Sequence, residues 1–440
     1  MSLYQLERDG DLETLTETLE RSGNPSIRLR AAQIIGGLFE SEDFDDDDLL
    51  VGEDTSISTD PELNEADSDR SSVIDVLVST VTDDSNKKVR AAAIDALDKH
   101  GAESLERVID ELSETDLGSA AEWVTAQAYV ESLSDNRPEL RMAAASGLGR
   151  IGDSKATPAL VKRLSDPDSR VRARSAVACG RIGDPQAVEA LEDRLHDDPS
   201  VDVRRGAADA LGEIGTEGAL SVLLEAADDE TVTIRRVVAD ALGQFGNVTP
   251  VDTLVRLLGD DDETVRRTAV FSLVETLSNA PPQQSHDVRN AAADRLGSAT
   301  ADDVIPPLAE ILTESSGAPQ RRNAAWLLGR VLGDEYEPTA RTALVDALSD
   351  DDTMTAQFAA TSLARLSDPS LESELLELCI DPSAPLEARS KALFVLGKIG
   401  GEKTRSELED LVDSTEHDEL REGAFSALSK LGGLGGGGRQ

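Results

Sequence analysis

Aromatic residues make up only 3% of this 440-residue chain, although 39% of its residues are hydrophobic. A core with so few large rings consists mainly of Ala, Leu, Val and Ile, which favours thin, closely packed helices over one thick globular core. The only cysteines are Cys179 and Cys379, so a disulfide framework is excluded. No apolar run approaches the roughly 20 residues of a membrane span, and the start, MSLYQLERDGDLETL, lacks the regions of a signal peptide. We therefore expect a cytoplasmic protein without membrane insertion.

Lysine is scarce, and positive charge in general is outnumbered. The chain has 87 Asp and Glu against 43 Lys and Arg, of which nine are lysine, and its net charge is −44. Self-repulsion of this size destabilises a compact fold in dilute buffer, whereas molar salt shortens the Debye length to about 3 Å. The composition resembles that of cytosolic proteins from salt-accumulating haloarchaea. It also argues against nucleic-acid binding, because a positive groove supplies most of that affinity.

One phrase recurs along the chain. VDVRRGAADALGEIG at residues 201–215 returns as VTIRRVVADALGQFG at 232–246. A twelfth copy of the frame V-R-x-x-A-A-x-A-L-G-x-I-G carries Ala356 in place of its arginine, and most spacings after Arg141 are 31 to 35 residues. A fixed period in this range predicts stacked supersecondary units. The anchor arginines of the other copies are Arg28, Arg90, Arg141, Arg172, Arg204, Arg235, Arg266, Arg289, Arg321, Arg389 and Arg421.

Each copy predicts two helices, a short apolar one such as residues 156–166 and the arginine phrase itself. Apolar residues one before the anchor arginine and at +3, +4, +7 and +10 form one buried stripe. An aspartate six residues before the anchor is expected to accept N–H groups at the start of the second helix. A small residue at +8 lets neighbouring helices approach closely. Glycine at +11 predicts a left-handed helix end at Gly152, Gly183, Gly215, Gly246, Gly400 and Gly432.

These residues carry a resemblance to a known family. The frame is similar to the short prokaryotic type of HEAT-like repeat, also found in phycobilin lyase subunits, and it covers nearly the whole chain. The resemblance implies an all-α fold, an α-α superhelical solenoid of about twelve helix-pair repeats. Solenoids of this kind mostly present surfaces to other proteins. It also implies that the anchor arginines and the turn aspartates form structural ladders along the stack.

Two features interrupt the array, an acidic stretch and a short spacing between two copies. No Lys or Arg falls between Arg30 and Arg70, and like charges at that density resist folding. Only 23 residues separate Arg266 from Arg289, so a first helix is missing around Pro281-Pro282. The predicted organisation is a first repeat at 1–38, an acidic disordered insert at 39–70, a repeat array at 71–280 with an added helix near 102–114, a second array at 281–432 and a flexible glycine-rich tail at 433–440.

The sequence predicts no catalytic residue, no metal and no cofactor. HEAT-like deoxyhypusine hydroxylases carry a di-iron site on paired His-Glu motifs, whereas the chain has His196-Asp197, His286-Asp287 and His417-Asp418 at irregular spacing. We expect these pairs in turns between helices. A bilin lyase is permitted by the repeat type alone. An enzyme of either kind is the alternative to a binding protein.

The second helix offers a candidate binding surface, because positions +1, +5 and +9 point away from the apolar stripe. In HEAT-like arrays this helix lines the concave side. Stacking would bring a basic ridge beside aromatic rings, the residue types of interface hot spots. In the alternative interpretation the arginines pair with nearby acids, each pair contributing little, while the aromatics pack under irregular loops. The predicted partner-binding residues are Arg205, Arg236, Arg267 and Arg322 at +1, and Phe271, Trp326 and Phe394 at +5.

The function that follows is a non-enzymatic scaffold or adaptor with a concave, helix-lined surface for other proteins. Haloarchaeal proteins with repeats of this short type include an adaptor between the chemotaxis response machinery and the archaellum motor. The resemblance therefore implies a role in coupling chemotaxis proteins to that motor. An acidic signalling protein, such as a response regulator, is the partner that would suit the arginines.

Overall fold

The computed structural model of the protein describes residues 2–42, 61–113, 122–296, 301–331, 338–366 and 369–432. These residues form 25 α-helices, and no strand occurs among them. The helices are α1 (Leu3–Asp9), α2 (Leu12–Arg21), α3 (Pro25–Glu42), α4 (Pro61–Asp83), α5 (Lys87–His100), α6 (Ala102–Ser113), α7 (Glu122–Ser132), α8 (Pro138–Ile151), α9 (Thr157–Arg163), α10 (Ser169–Ile182), α11 (Val188–Asp197), α12 (Val201–Ile214), α13 (Glu217–Ala226), α14 (Val232–Gly243), α15 (Val251–Leu257), α16 (Glu263–Asn279), α17 (Ser285–Leu296), α18 (Ala301–Glu314), α19 (Ala318–Val331), α20 (Pro338–Asp346), α21 (Thr353–Leu363), α22 (Pro369–Ile380), α23 (Leu386–Ile399), α24 (Glu402–Ser414) and α25 (Asp418–Gly432).

The helices form the predicted pairs, and the chain is an all-α solenoid. A first helix contacts its second helix in pairs such as α2–α3, α9–α10 and α22–α23. The second helices, which carry the arginine phrase, also contact one another in sequence: α3, α5, α8, α10 and α12 in one series, and α14, α16, α19, α21, α23 and α25 in another. The contacts divide the chain into two compact units, Met1–Ala219 and Leu220–Gln440.

The apolar stripe of the second helix builds the core, as α12 illustrates. Val203, Ala207, Ala208 and Leu211, at −1, +3, +4 and +7, are all fully buried, and Ile214 at +10 is nearly so. Burying a leucine or valine side chain contributes about 1.5–3 kcal/mol. A single helix cannot bury this apolar stripe by itself, so the helices pack against one another in a stack.

Small residues at +8 bring consecutive second helices into close contact, as predicted. A Cβ on Gly149 would lie 2.9 Å from the Cα of Ala178, and one on Gly397 would lie 2.9 Å from the Cα of Ala427. Each partner stands at +6 of the next copy. A larger residue at +8 would therefore push two helices apart, since real Cβ atoms do not approach backbone this closely.

The predicted left-handed helix ends are confirmed at three glycines and wrong at three others. Gly152, Gly183 and Gly215 have φ of 73°, 70° and 65°. Gly400 instead has φ −68° and ψ 149°, and extended backbone there leads directly into α24. Helix α14 ends before Gly246, where a Cβ would overlap the carbonyl of Asn279, and Gly432 is the last residue of α25. Close approach, not a helix end, requires glycine at 246.

The turn at Pro281-Pro282 lies inside the second unit. Helix α17, which carries the Arg289 phrase, follows α16 without a first helix of its own and contacts α15, α16 and α19. The short spacing before Arg289 therefore marks a single helix added to the stack.

Two predicted segments fall partly or wholly outside the described residues. Of the acidic segment 39–70, residues 39–42 belong to α3 and 61–70 to α4, while 43–60 lie outside the described part. The tail 433–440 lies outside it as well. Helix α6 occupies the segment near 102–114. Within the described ranges, every helix is too short or too polar to cross a bilayer.

Candidate protein-interaction surface

The anchor arginines form a ladder that links consecutive repeats. Nη1 of Arg172 donates to the carbonyl oxygen of Asp166, at 2.8 Å, in the turn before its own helix. Its Nε and Nη2 donate to the carboxylate of Asp198 in the next turn, at 2.7 and 2.8 Å. The same bidentate contact joins Arg28 to Asp84, Arg141 to Asp166, Arg235 to Asp260 and Arg321 to Asp350. These arginines are therefore committed to structure.

The turn aspartates have a different backbone partner from the one expected. Asp198 accepts the N–H of Ser200, which precedes α12, rather than an N–H of the first helical turn. In the preceding repeat the helix is capped by a separate residue, Asp168, which accepts the N–H of Arg170. Burial raises the pKa of Asp198, but hydrogen bonds from Arg172 and Ser200 outweigh it, and the pKa of this carboxyl is lowered.

The ladder changes where the repeat departs from its frame. Arg289 has no aspartate to accept its hydrogen bonds in the turn before α19, where Ser315 stands six residues before Arg321. It donates instead to Oδ1 of Asn323 on α19, at 3.3 Å. Arg389 donates through Nε to the carbonyl oxygen of Cys379, at 2.8 Å, and is buried. Arg289 thus links α17 to α19, and Arg389 links α23 to α22, the first helix of its own repeat, both through neutral acceptors.

Three of the predicted +1 arginines, on α12, α16 and α19, contact a carboxylate. Arg322 forms a bidentate pair with Asp352, at 2.5 Å for both contacts, and Asp352 also accepts the N–H of Thr355 as the cap of α21. The Arg322 hydrogen bond lowers the pKa of Asp352 although burial raises it. Arg205 is more exposed, at 57% of its side chain, and lies 3.7 Å from Asp209. Arg322 thus contacts the residue that caps α21, as the alternative interpretation of pairing with nearby acids describes.

The remaining +1 residues lie on α14 and α16. Arg267 pairs with Glu310 and also stands over the ring of Phe271, 5.3 Å from its centroid. Arg236 is half-buried on α14. The alternative interpretation, pairing with nearby acids, describes the contacts of Arg205, Arg267 and Arg322. Their role in binding a partner stays a prediction.

The predicted +5 aromatics are half-buried and covered by cations. The guanidinium of Arg330 lies 3.4 Å from the centroid of Trp326. Nζ of Lys398 and Nζ of Lys430 lie 4.9 and 5.3 Å from the centroid of Phe394. A cation over a ring face contributes about 0.5–1 kcal/mol at an exposed site. The aromatics are thus part of a mixed cationic and aromatic surface.

Sequence reasoning missed the cations that cover these rings. We call Arg330, Arg365, Lys398 and Lys430 the cation row; they stand at +9 in the last four copies of the frame. Burial, together with the nearby charges of Arg365 and Arg289, lowers the pKa of Arg330 to about 10. The signal was visible, because +9 is Arg or Lys in all four of these copies.

Two of the +9 cations of the first unit are neutralised within the fold. Arg150 and Arg181 both contact the carboxylate of Asp98, at 2.9 and 3.1 Å, and Arg174 joins them at 3.2 Å. Asp98 is 2% exposed and occupies the +8 position where other copies have a small residue. One buried carboxylate therefore contacts three arginines. The cation row of the second unit has no such carboxylate among the described residues.

Side chains for chemistry are not grouped on the described residues. No cluster of three His, Cys, Asp or Glu side chains suited to a metal ion occurs among them. His196 lies in the last turn of α11 and His286 in the first turn of α17. The expectation that these two histidines lie in turns between helices is therefore wrong. Burial raises the pKa of both Cys179 and Cys379 to about 12, which keeps the thiols protonated at neutral pH.

The chain matches the HEAT repeat family over residues 126–201, 193–274 and 341–429. A curated relative, a HEAT repeat-containing taxis protein from Halobacterium salinarum, is 43% identical over 465 aligned residues, which cover 98% of this chain and 99% of the relative. The fold, the ladder and these matches define a repeat scaffold. The chain belongs to the HEAT repeat family.

Two solved structures are similar over most of the chain at low identity. An engineered protein is 20% identical with a TM-score of 0.39 and covers 96% of this chain and 98% of its own. Importin beta is 17% identical with a TM-score of 0.38 and covers 96% of this chain and 61% of its own.

Proposed function

We propose that the protein is a non-enzymatic adaptor in taxis signalling, which binds acidic signalling proteins and couples chemotaxis proteins to the archaellum motor. The taxis role rests on the name of the full-length relative at 43% identity. The adaptor role rests on the family, since HEAT-type stacks expose one long surface of second helices for other proteins.

The observation that carries the proposal is the cationic and aromatic surface of the second unit. Trp326 under Arg330, and Phe394 under two lysines, present ring faces and positive charge together. The chain as a whole has a net charge of −44, so local positive charge on such a background favours an acidic partner over a basic one. Phe271 with Arg267 extends the same chemistry to α16.

The proposed partner-binding residues are those of the predicted ridge, Arg205, Arg236, Arg267, Phe271, Arg322, Trp326 and Phe394. Within this set the aromatics are the better anchors, because truncating a ring removes more interface energy than removing one exposed charge. Arg322 is a poor test residue, since its loss also exposes the cap of α21.

Deletion of the gene in a haloarchaeal host tests the taxis role. Cells lacking the protein should still swim, because an adaptor is not part of the motor, but should fail to bias their motion toward an attractant or light. Re-expression of the wild-type chain should restore the response, and Trp326→Ala should restore it less well. A deletion strain with normal directed spreading and normal reversal would refute the proposal.

A further inference from the structure

The cation row spans consecutive second helices that contact one another. Arg330 lies on α19, Arg365 lies just past the C-cap of α21, Lys398 lies on α23 and Lys430 on α25. Contacts join α19 to α21, α21 to α23 and α23 to α25. The four side chains therefore follow the stacking direction of the repeats, one per repeat.

No carboxylate of the described residues forms an ion pair with the cation row. Its members instead contact aromatic rings and backbone, as in the hydrogen bond that Arg330 Nη1 donates to the carbonyl oxygen of Trp326 at 2.8 Å. Other exposed cations of the chain do find acids, for example Lys155 with Asp153 at 3.6 Å and Arg256 with Asp228. Acids outnumber bases two to one, 87 to 43, yet all four members of the row, which stand on consecutive repeats, lack a carboxylate partner among the described residues.

A layer of aromatic rings lies among these cations. Trp326 and Phe394 stand at +5, one helical turn before Arg330 and Lys398 on the same helices. Arg289 adds a further positive charge over the ring of Phe358, at 5.7 Å. The rings hold the cations in place through cation–π contacts. A ligand that covers the rings also excludes water from them, so an ion pair formed there is less screened by salt than one in open solvent.

The spacing of the row sets the form of its ligand. Packed helices lie about 8–10 Å apart, and an extended chain advances about 3.3 Å per residue. In an extended segment of the polyproline II form, which has three residues per turn and rises about 3.1 Å per residue, every third side chain faces the same side and would meet one cation. Four repeats then span about nine or ten residues.

We propose that the cation row binds an extended acidic segment of a partner protein, with carboxylates at every third residue. The proposal rests on the adaptor function and names the recognition chemistry of its surface. Each carboxylate would accept hydrogen bonds from one member of the row, and the segment would cover the rings of Trp326 and Phe394.

Fluorescence of Trp326 gives a direct test. The chain has two tryptophans, so a Trp123→Phe variant leaves Trp326 as the only one, next to the proposed site. A synthetic ten-residue peptide with Asp at every third position and Gly and Ser between is titrated in molar KCl. Two control peptides carry Asn in place of Asp, or the same four aspartates side by side.

The spaced peptide should change the fluorescence saturably, and the Asn peptide should not. Lys398→Glu/Lys430→Glu should weaken binding by about tenfold or more, because two attractive contacts become repulsive. Lys155→Glu, the same charge change on an exposed lysine of the first unit, should leave the affinity within about twofold. Helical circular dichroism of each variant confirms that it is folded.

Three results would overturn the inference: no binding of the spaced peptide, equal binding of the clustered peptide, or equal weakening by Lys155→Glu. None of these would touch the adaptor function, which is tested by the taxis response of the deletion strain. Conversely, a normal taxis response together with tight binding of the spaced peptide would sink the taxis role and leave the acidic-segment site standing.

Discussion

Replacing Asp166 with Ala should be among the most destabilising single changes in the first unit. The side chain of Asp166 is fully buried, and that of Arg141 is 8% exposed. Asp166 accepts both guanidinium hydrogen bonds at 2.8 Å and the N–H of Asp168 at 2.9 Å. The substitution leaves a buried guanidinium without its counter-charge.

The expected cost can be stated from these contacts. Breaking a buried ion pair by removing one partner costs about 3–5 kcal/mol, because an uncompensated charge remains in the interior. Two hydrogen bonds from Arg141 Nη1 to backbone carbonyls, at 2.9 and 3.0 Å, survive and keep the loss toward the lower end. Asp9→Ala is the control: its pair with Arg8 is 47% and 67% exposed, so about 1 kcal/mol or less is expected.

Urea denaturation in molar KCl, followed by circular dichroism at the helical band, measures the free energy of unfolding. A double variant, Arg141→Met with Asp166→Leu, should recover most of the loss, because an apolar pair of similar volume replaces a buried ion pair at little cost. An Asp166→Ala penalty no larger than that of Asp9→Ala would refute the claim that the ladder holds the repeats together.

Further predictions concern packing, pH and salt. Gly149→Ala should lower the free energy of unfolding by about 1–3 kcal/mol, because its Cβ would meet the Cα of Ala178 at 2.9 Å; Gly37→Ala, whose Cβ meets nothing within 4 Å, should instead raise it by about 0.5–1 kcal/mol. The Arg235 hydrogen bond lowers the pKa of Asp260, although burial raises it. This carboxyl therefore stabilises the fold above its ordinary pKa of about 4, and the stabilisation is lost as pH falls through the lowered pKa. Acid titrations in molar KCl should show a smaller loss of stability for Asp260→Asn than for wild type, and identical curves would contradict this. Stability should rise steeply from dilute buffer toward molar KCl, and a thermal midpoint independent of KCl would contradict the halophilic interpretation of the −44 charge.

The fold was predictable because each helix pair repeats the same local rules. The stripe at −1, +3, +4 and +7, the small residue at +8 and the aspartate six residues before the anchor all recur in register, so a dozen copies average out local noise. Gly246 and Gly400 were mispredicted because the frame assigns one role to position +11. Their neighbours, Asn279 for one and the start of α24 for the other, impose different backbone demands.

The candidate surface was predictable only in part. The aromatic positions of Trp326 and Phe394 follow from the helical period alone. The helical period does not predict which cations lack a carboxylate partner, because ion pairing depends on side chains from other repeats. Asp98 collects arginines from two later repeats, and Arg322 pairs with the cap of the next second helix, contacts that no single copy of the frame encodes.

The most direct test of the account is affinity capture from a haloarchaeal lysate in molar KCl, read by mass spectrometry. The baits are the wild-type chain, Lys398→Glu/Lys430→Glu and Lys155→Glu. We expect taxis or archaellum proteins with acidic segments to be retained by wild type and by Lys155→Glu and to be lost from the double variant. The same taxis proteins on all three baits, or none on the wild-type chain, would contradict it.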